Sequence, residues 1–200
     1  MRGKRRSPLL RVFEWTLLVV GVVCASWYGW TMFEIHRLQA EARRSIERMV
    51  AERSEGVNLD TALPPADARL MGQIDIPSVR LSAVVLAGDD DGALALSVGY
   101  LPDTPPPWHA GNSAFAAHRD GLFRPLEHVR GGDAIWLTTR HGDFQYRVLR
   151  TLIVSSKDTW VLDALPGVNL TLITCFPFTY IGHAPNRFIV QAEKVRQAER

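Results

Sequence analysis

A strand that ends at a cysteine and is followed by a proline constrains the fold of this chain more than any other feature. Residues 169–175 read Asn-Leu-Thr-Leu-Ile-Thr-Cys, and such a run of branched and apolar residues is typical of a buried or half-buried strand. Pro177 has no N–H to donate, so a central ladder cannot continue through it. After a loop, Arg187-Phe-Ile-Val begins another strand. If these strands are neighbours, the guanidinium of Arg187 lies close to the thiol of Cys175.

Short strands also account for most of the sequence from Leu70 onward. Runs of apolar residues alternate there with turn residues, and residues 140–143 (Arg-His-Gly-Asp) separate two runs that read as a hairpin. The further predicted strands are residues 70–76, 79–86, 112–117, 133–139 and 144–154. Residues 122–129 predict a short helix. Seven or eight short strands at this spacing predict an all-β barrel or sandwich.

The N-terminal segment has the composition of a membrane anchor. Residues 1–11 contain five basic residues and no acid, and residues 15–33 contain no charge. That apolar length is close to the roughly 20 residues that span a bilayer. The basic flank predicts that the N-terminus lies in the cytoplasm and the bulk of the chain outside. We therefore expect a cytoplasmic tail at 1–11 and a transmembrane helix at 12–33.

A cleaved signal peptide is the alternative for this segment. Val23-Cys24-Ala25 resembles a small-residue cleavage site. However, the apolar run continues through residues 27–33 instead of turning polar, which favours an uncleaved anchor. In that interpretation Cys24 is a small apolar residue of a membrane helix.

Residues 34–69 predict a helical stalk and a linker before a catalytic domain at 70–200. Apolar residues recur at helical spacing in a charged segment; they are Ile35, Leu38, Ala42, Ile46, Met49 and Val50. Pro64-Pro65 ends any helix. A stalk that continues the membrane helix and a partly solvated linker helix are both consistent with this pattern.

Composition limits the kinds of ligand. The net charge is +2, with no basic stripe carrying interleaved aromatics beyond the N-terminus, so we expect no nucleic-acid partner. Cys175 is the only cysteine outside the apolar segment and therefore has no disulfide partner there. Residues 89–91 are acidic but lack the twelve-residue pattern of a calcium loop. We interpret them as a solvated turn, and expect neither a metal nor a cofactor.

Three blocks of the sequence resemble the sortase family. Thr171-Leu-Ile-Thr-Cys175, with a loop and then Arg187, is similar to the sortase signature. Residues 111–120 are similar to the block that carries the sortase histidine, which here is His118. Residues 72–77 resemble the family's opening strand. The resemblance covers roughly residues 70–195, and the short loop before Arg187 looks most like class D and Gram-negative sortases. Ala117 departs from the glycine that relatives often have.

The resemblance implies an eight-stranded barrel with short helices and a cysteine transpeptidase activity. Cys175 is then the nucleophile that forms a thioacyl-enzyme, and His118 is the general acid and base. Arg187 keeps its proton, so it cannot be a base. Its expected role is to stabilise the oxyanion of the tetrahedral intermediate.

The resemblance also implies the partners. The substrate is a sorting signal of the LPxT(G/A) type, and its threonine acyl group passes to an amine of the cell wall or of a protein. We expect Thr174, Thr179 and Asn112 to bind substrate, with His183 as a further candidate. The expected location is the bacterial cytoplasmic (inner) membrane, crossed once, with the catalytic domain outside.

Two alternatives remain open at this point. A membrane-bound cysteine peptidase would use the same three residues with water as acceptor. A non-catalytic envelope domain that binds sorting-type peptides would lack a catalytic residue, and none is missing here. Other thiol transpeptidases that act on peptidoglycan usually carry a Ser-His-Gly-Cys cluster, which this sequence does not contain.

Overall fold

The computed structural model describes residues 8–54, 69–88, 94, 97–180 and 182–195. The chain divides into two compact units, one ending at Leu38 and one beginning at Gln39. The acidic turn at residues 89–91 and the proline pair at residues 64–65 lie outside the described residues.

A long helix, α1, runs from Pro8 to Ser54. In the first unit, the segment Phe13–Trp30 is long and apolar enough to cross a membrane, and no part of it is buried. A signal sequence passes the same test of length and composition.

The second unit contains a closed barrel of eight strands within the described residues, as predicted. The strands are β1 (Leu70–Ile76), β2 (Leu81–Ala87), β3 (Val98–Tyr100), β4 (Gly111–Ala116), β5 (Ala134–Thr139), β6 (Gly142–Ser155), β7 (Val168–Phe176) and β8 (Asn186–Lys194). Their order around the barrel is β1-β2-β3-β4-β7-β8-β6-β5. Two neighbouring pairs, β2–β3 and β4–β7, are parallel, and the other pairs are antiparallel.

Some element boundaries differ from the sequence predictions. β2 begins at Leu81, because Val79 belongs to the 3₁₀ turn Pro77–Val79 and Arg80 has a φ of 54°. The helix predicted at residues 122–129 is the 3₁₀ helix Arg124–His128. Strand β3 and the 3₁₀ helix Trp160–Leu162 were not predicted, since three residues are too few to show a period.

The barrel interior is filled by alternate residues of the strands. Ile74, Leu137 and Leu172 are fully buried members of this core, and each such side chain contributes roughly 1.5–3 kcal/mol. The hydroxyl of the buried Tyr146 donates a hydrogen bond to the carbonyl of Pro107 at 2.7 Å. Burial raises the pKa of Tyr146, so this hydroxyl remains a donor at neutral pH.

The last turns of α1 pack against the outside of the barrel. Ile46 is buried against Leu70 and Val84, with Leu86 at the edge of the same cluster. Val84 faces outward on β2, since its neighbour Val85 belongs to the interior core and side chains alternate along a strand. This part of the helix is therefore docked on the sheet in addition to being amphipathic.

Three phenylalanines pack together where β7 ends and β8 begins. Phe178 lies 5.3 Å from Phe188 and 6.0 Å from Phe176 between ring centroids, both in edge-to-face geometry. Phe178 is 5% exposed and belongs to the core cluster, and the other two pack against that cluster. The aromatic cluster (Phe176, Phe178 and Phe188) thus connects the chain after Cys175 to the barrel core.

The aromatic cluster should contribute strongly to stability. We expect Phe178→Ala to lower the free energy of unfolding by about 3–5 kcal/mol, because it deletes a buried ring and leaves a cavity. Guanidinium unfolding of the full-length chain in detergent micelles, followed by near-UV circular dichroism, measures this. The control Leu149→Ala removes a side chain that is 51% exposed. A loss below about 1 kcal/mol for Phe178→Ala, close to the surface range, would contradict the assignment.

Candidate active site

Cys175 and Arg187 lie directly opposite each other on β7 and β8. Directly opposed residues of an antiparallel pair share a face, with Cβ atoms about 4.5–5.5 Å apart. Both side chains are half-buried, and the thiol of Cys175 is free. The two strands are therefore neighbours, which is the condition set by the sequence for the guanidinium to come close to the thiol, and the two side chains share one face of the sheet.

His118 reaches the same edge of the sheet through the parallel pairing of β4 with β7. Ala116 is in register with Ile173, and the N–H of Ala117 donates to the carbonyl of Ile173 at 3.3 Å. His118 follows Ala116 by two residues, as Cys175 follows Ile173. Because parallel strands run in the same direction, the imidazole and the thiol emerge at one end of the barrel. The His118 side chain is exposed.

Local bonds fix the turn that follows His118. Its carbonyl accepts hydrogen bonds from the N–H groups of Gly121 at 3.3 Å and Phe123 at 3.2 Å. Phe123 is fully buried in the barrel core. The backbone on the C-terminal side of the histidine is thus anchored by a core residue, while its side chain stays accessible.

The guanidinium of Arg187 is only partly used by protein groups. Its Nη1 donates to the carbonyls of Ala184 at 3.1 Å and Asn186 at 3.0 Å. An arginine has five N–H donors, and Nε and Nη2 make no hydrogen bond within the described part of the chain. Those donors are available to the carbonyl oxygen of a peptide bound at Cys175.

Thr174 is buried inside the barrel at 2% exposure. Its hydroxyl donates to the carbonyl of Ala117 at 2.8 Å, which ties the residue before His118 to the residue before Cys175. These contacts support a positioning role for Thr174 in place of the expected direct contact with substrate.

Asn112 is also fully buried, and its side-chain groups are bonded within the protein. Its amide nitrogen donates to the carbonyls of Val161 at 2.9 Å and Asp163 at 3.2 Å. Its side-chain oxygen accepts from the hydroxyl of Thr171 at 2.7 Å. Asn112 therefore holds the connection between β6 and β7 against β4, and its burial argues for this structural role in place of the expected substrate contact.

Thr179 and His183 lie in the loop between β7 and β8, and both are exposed. Their positions just after Cys175 and just before Arg187 leave them accessible to a bound peptide. His141 is placed differently, since its ring contacts Trp108 at 3.8 Å between ring centroids. His141 begins the hairpin turn into β6, whose opposite end pairs with the start of β8, so it lies at the far end of the barrel from Cys175.

Two arginines near His118 were missed by the sequence reasoning. Arg119 donates to the carbonyls of Tyr180 and Gly182, and Arg124 donates to the carbonyl of Phe178 at 3.5 Å. Their proximity to His118 in the sequence was the one available signal, because nothing in the sequence shows which loop they contact. Among the described residues, no group of three or more His, Cys, Asp or Glu side chains could hold a metal ion.

The site combines a free cysteine, an arginine opposite it on the next strand, and a histidine at the same edge of the barrel. This combination defines a candidate cysteine enzyme that acts on carbonyl groups. The family model described as "Sortase domain" matches residues 74–195, more than half of the chain. The chain belongs to the sortase family, whose members are cysteine transpeptidases that act on peptide bonds.

Individual relatives agree with this assignment. The chain is 31% identical to sortase D of Bacillus subtilis (strain 168), over 66% of this chain and 67% of that protein. It is 28% identical to sortase A of Streptococcus agalactiae serotype III (strain NEM316), over 65% of this chain and 55% of the relative. The structure of a Clostridium perfringens sortase D5 transpeptidase shares the fold, with a TM-score of 0.64 and 23% identity over 80% of this chain and 98% of that one. The predicted class D resemblance is thus confirmed.

The bond between Thr174 and Ala117 can be tested by a pair of substitutions. Thr174→Val removes the hydroxyl and leaves a buried carbonyl without its donor, so we expect a loss of about 1–3 kcal/mol in the free energy of unfolding. Thr174→Ser keeps the hydroxyl and should retain most of that energy. Thr179→Val, the same change at an exposed site, is the matched control. Equal stability of the valine and serine variants at position 174 would refute this role.

Proposed function

We propose that this protein is a membrane-anchored sortase that cleaves an LPxT(G/A)-type sorting signal and transfers it to an amine. The observation that carries the proposal is the cross-strand pair of Cys175 and Arg187, with His118 held at the same edge by the pairing of β4 with β7. Family membership supplies the reaction class. The geometry supports a role for each of the three side chains.

The first half-reaction forms a thioester. The thiolate of Cys175 attacks the carbonyl carbon of the substrate's threonine, and a C–S bond forms. As the tetrahedral intermediate collapses, the C–N bond to the next residue breaks, and His118 gives a proton to the departing amine. The free donors of Arg187 stabilise the negative oxygen of the intermediate.

The second half-reaction transfers the acyl group. An incoming amine attacks the thioester carbon while His118 accepts a proton from it. A new C–N bond forms, the C–S bond breaks, and Cys175 returns as a thiolate. Because the same oxygen becomes negative again, Arg187 acts in both halves of the reaction. Thr179 and the loop around it provide accessible groups beside the bound peptide.

The N-terminal part of the chain supports membrane anchoring. The exposed apolar segment Phe13–Trp30 follows a basic N-terminal flank. We assign residues 1–11 to a cytoplasmic tail, 12–33 to a transmembrane helix, 34–69 to a stalk and linker, and 70–200 to the catalytic domain. In this arrangement the barrel lies on the outer side of the cytoplasmic membrane, where sorting signals and amine acceptors meet.

Product analysis tests the reaction. We expect the full-length chain in detergent micelles to convert LPxT(G/A) peptides and an added amine into a threonine–amine adduct, detected by mass spectrometry. Cys175→Ala should abolish the adduct, because it removes the nucleophile. Cys24→Ala, which alters the cysteine in the apolar helix, is the matched control and should retain full activity.

The products also separate the alternatives. A Cys175-dependent free acid without any adduct, at saturating amine, would replace the transpeptidase proposal by a peptidase. Binding of the peptides without any Cys175-dependent product would favour the non-catalytic domain.

Thiol labelling tests the topology. In intact bacterial cells expressing Cys24→Ala, a membrane-impermeant maleimide should label Cys175, because the barrel is expected outside and this thiol is half-buried but free. An N-terminal epitope tag should become accessible to antibody only after permeabilisation. Labelling of Cys175 only after the membrane is opened would reverse the proposed orientation, with Cys175→Ala as the blank.

A further inference from the structure

Arg119 connects the segment after His118 to the loop after Cys175. Its Nη2 donates to the carbonyl of Tyr180 at 2.5 Å and to that of Gly182 at 3.0 Å. The centre of the guanidinium also lies 5.9 Å from the ring centroid of Tyr180. This one side chain therefore contacts the loop through two charge-assisted hydrogen bonds, which are stronger than neutral ones, and one aromatic face.

The described residues of this loop are 177–180 and 182–185, and few other contacts among them hold its middle: the N–H of Tyr180 donates to the carbonyl of Pro177 at 3.3 Å. Thr179, Tyr180 and His183 are exposed, so these side chains bury little apolar surface. Arg124 reaches the beginning of the loop, at Phe178, over 3.5 Å, which is long for a hydrogen bond. Arg187 bonds the end of the loop, at Ala184. In the described part of the chain, Arg119 is the side chain that hydrogen-bonds the centre of the loop, at Tyr180 and Gly182.

We propose that Arg119 is a positioning residue that fastens the β7–β8 loop beside His118 and thereby shapes the wall of the peptide site. The inference rests on the proposed function for its kinetic consequence, but the contact itself does not depend on it. Arg119 follows His118 directly in the sequence. Through it, the loop that follows the nucleophile is tied to the backbone that carries the acid–base residue.

The contact should affect binding more than chemistry. The reacting groups are fixed independently by sheet pairing: Cys175 faces Arg187 across two strands, and the hydrogen bonds at Ala117 hold the chain before His118. Releasing the loop would leave these groups in place and loosen only the surface that a peptide contacts. Loss of an interaction of this kind raises KM and leaves kcat nearly unchanged.

The atoms involved also predict which substitution preserves the contact. Both hydrogen bonds come from one nitrogen, Nη2, so a single ammonium group can replace them. Among the described residues, the other terminal nitrogen, Nη1, is buried without a hydrogen-bond partner, and lysine has no counterpart to lose there. Arg119→Lys should therefore retain the contact, whereas Arg119→Gln loses the charge and the reach.

Arg130 offers a matched control. It lies in the same region of the chain, and its Nη1 donates to the backbone carbonyls of Glu127 at 3.4 Å and Val129 at 3.1 Å. It thus makes the same kind of contact with a local turn instead of the β7–β8 loop. Arg130→Gln removes an equivalent arginine without touching the loop and should behave as the wild type.

Hydrogen–deuterium exchange of the full-length chain in detergent micelles tests the contact directly. We expect the amide of Tyr180, which donates to the carbonyl of Pro177 at 3.3 Å, to exchange about 10-fold faster or more in Arg119→Gln, because local opening of the loop becomes easier. Arg119→Lys and Arg130→Gln should exchange at the wild-type rate. Unchanged loop exchange in Arg119→Gln would overturn the proposal, and so would faster exchange spread over the whole barrel.

Steady-state transfer kinetics with an LPxT(G/A) peptide test the consequence. We expect KM to rise about 10-fold in Arg119→Gln while kcat stays within about 3-fold, and Arg119→Lys to restore KM. A fall in kcat at unchanged KM would overturn the positioning role. If the wild type forms no Cys175-dependent product, the proposed function fails, and the exchange experiment still decides whether Arg119 holds the loop.

Discussion

The parallel pairing of β4 with β7 is the constraint on which the site depends. Most neighbours in this barrel are antiparallel, and adjacent antiparallel strands leave their C-terminal ends at opposite edges. Because β4 and β7 run in the same direction in register, the residues that follow them emerge together. His118 and Cys175 are 57 positions apart in the sequence, and this single pairing brings them to one edge. After the loop, β8 pairs antiparallel with β7 and so places Arg187 at the same edge.

The buried polar residues near the site serve this pairing. A buried polar group is costly unless it is hydrogen-bonded, and both Thr174 and Asn112 satisfy that requirement with backbone carbonyls. Thr174 secures the end of β4 to β7, and Asn112 secures the connection that precedes β7. The hydrogen bonds of these two side chains thus fix the relative position of the strands. Apolar contacts could not do this as specifically, because they are not directional.

The sequence was a good guide where the determinant is local. The strand that carries Cys175, the break at Pro177 and the return strand that carries Arg187 all follow from residue types. The structure has both strands, although β7 runs one residue beyond Cys175, to Phe176, and β8 begins one residue before Arg187, at Asn186. The direction in which Thr174 and Asn112 face could not be predicted, because it depends on which neighbour each strand has. The loop contacts of Arg119 were invisible for the same reason, since their acceptors are backbone carbonyls some 60 residues away. Contacts with distant backbone carbonyls cannot be predicted from residue type, because every residue has a carbonyl group.

The register of β7 with β8 also fixes the position of Cys175 relative to Arg187 independently of the loop between the two strands. The pair Phe176–Asn186 closes the ladder, and the nine residues between them form a loop whose ends are held by strands rather than by the loop itself. Its exposed residues, such as Thr179 and His183, can therefore vary without changing the strand register that sets Cys175 opposite Arg187, whereas Phe178 is fixed by the core. The surface of the loop and the pairing of Cys175 with Arg187 are thus set by different parts of the structure, so a change in one does not require a change in the other.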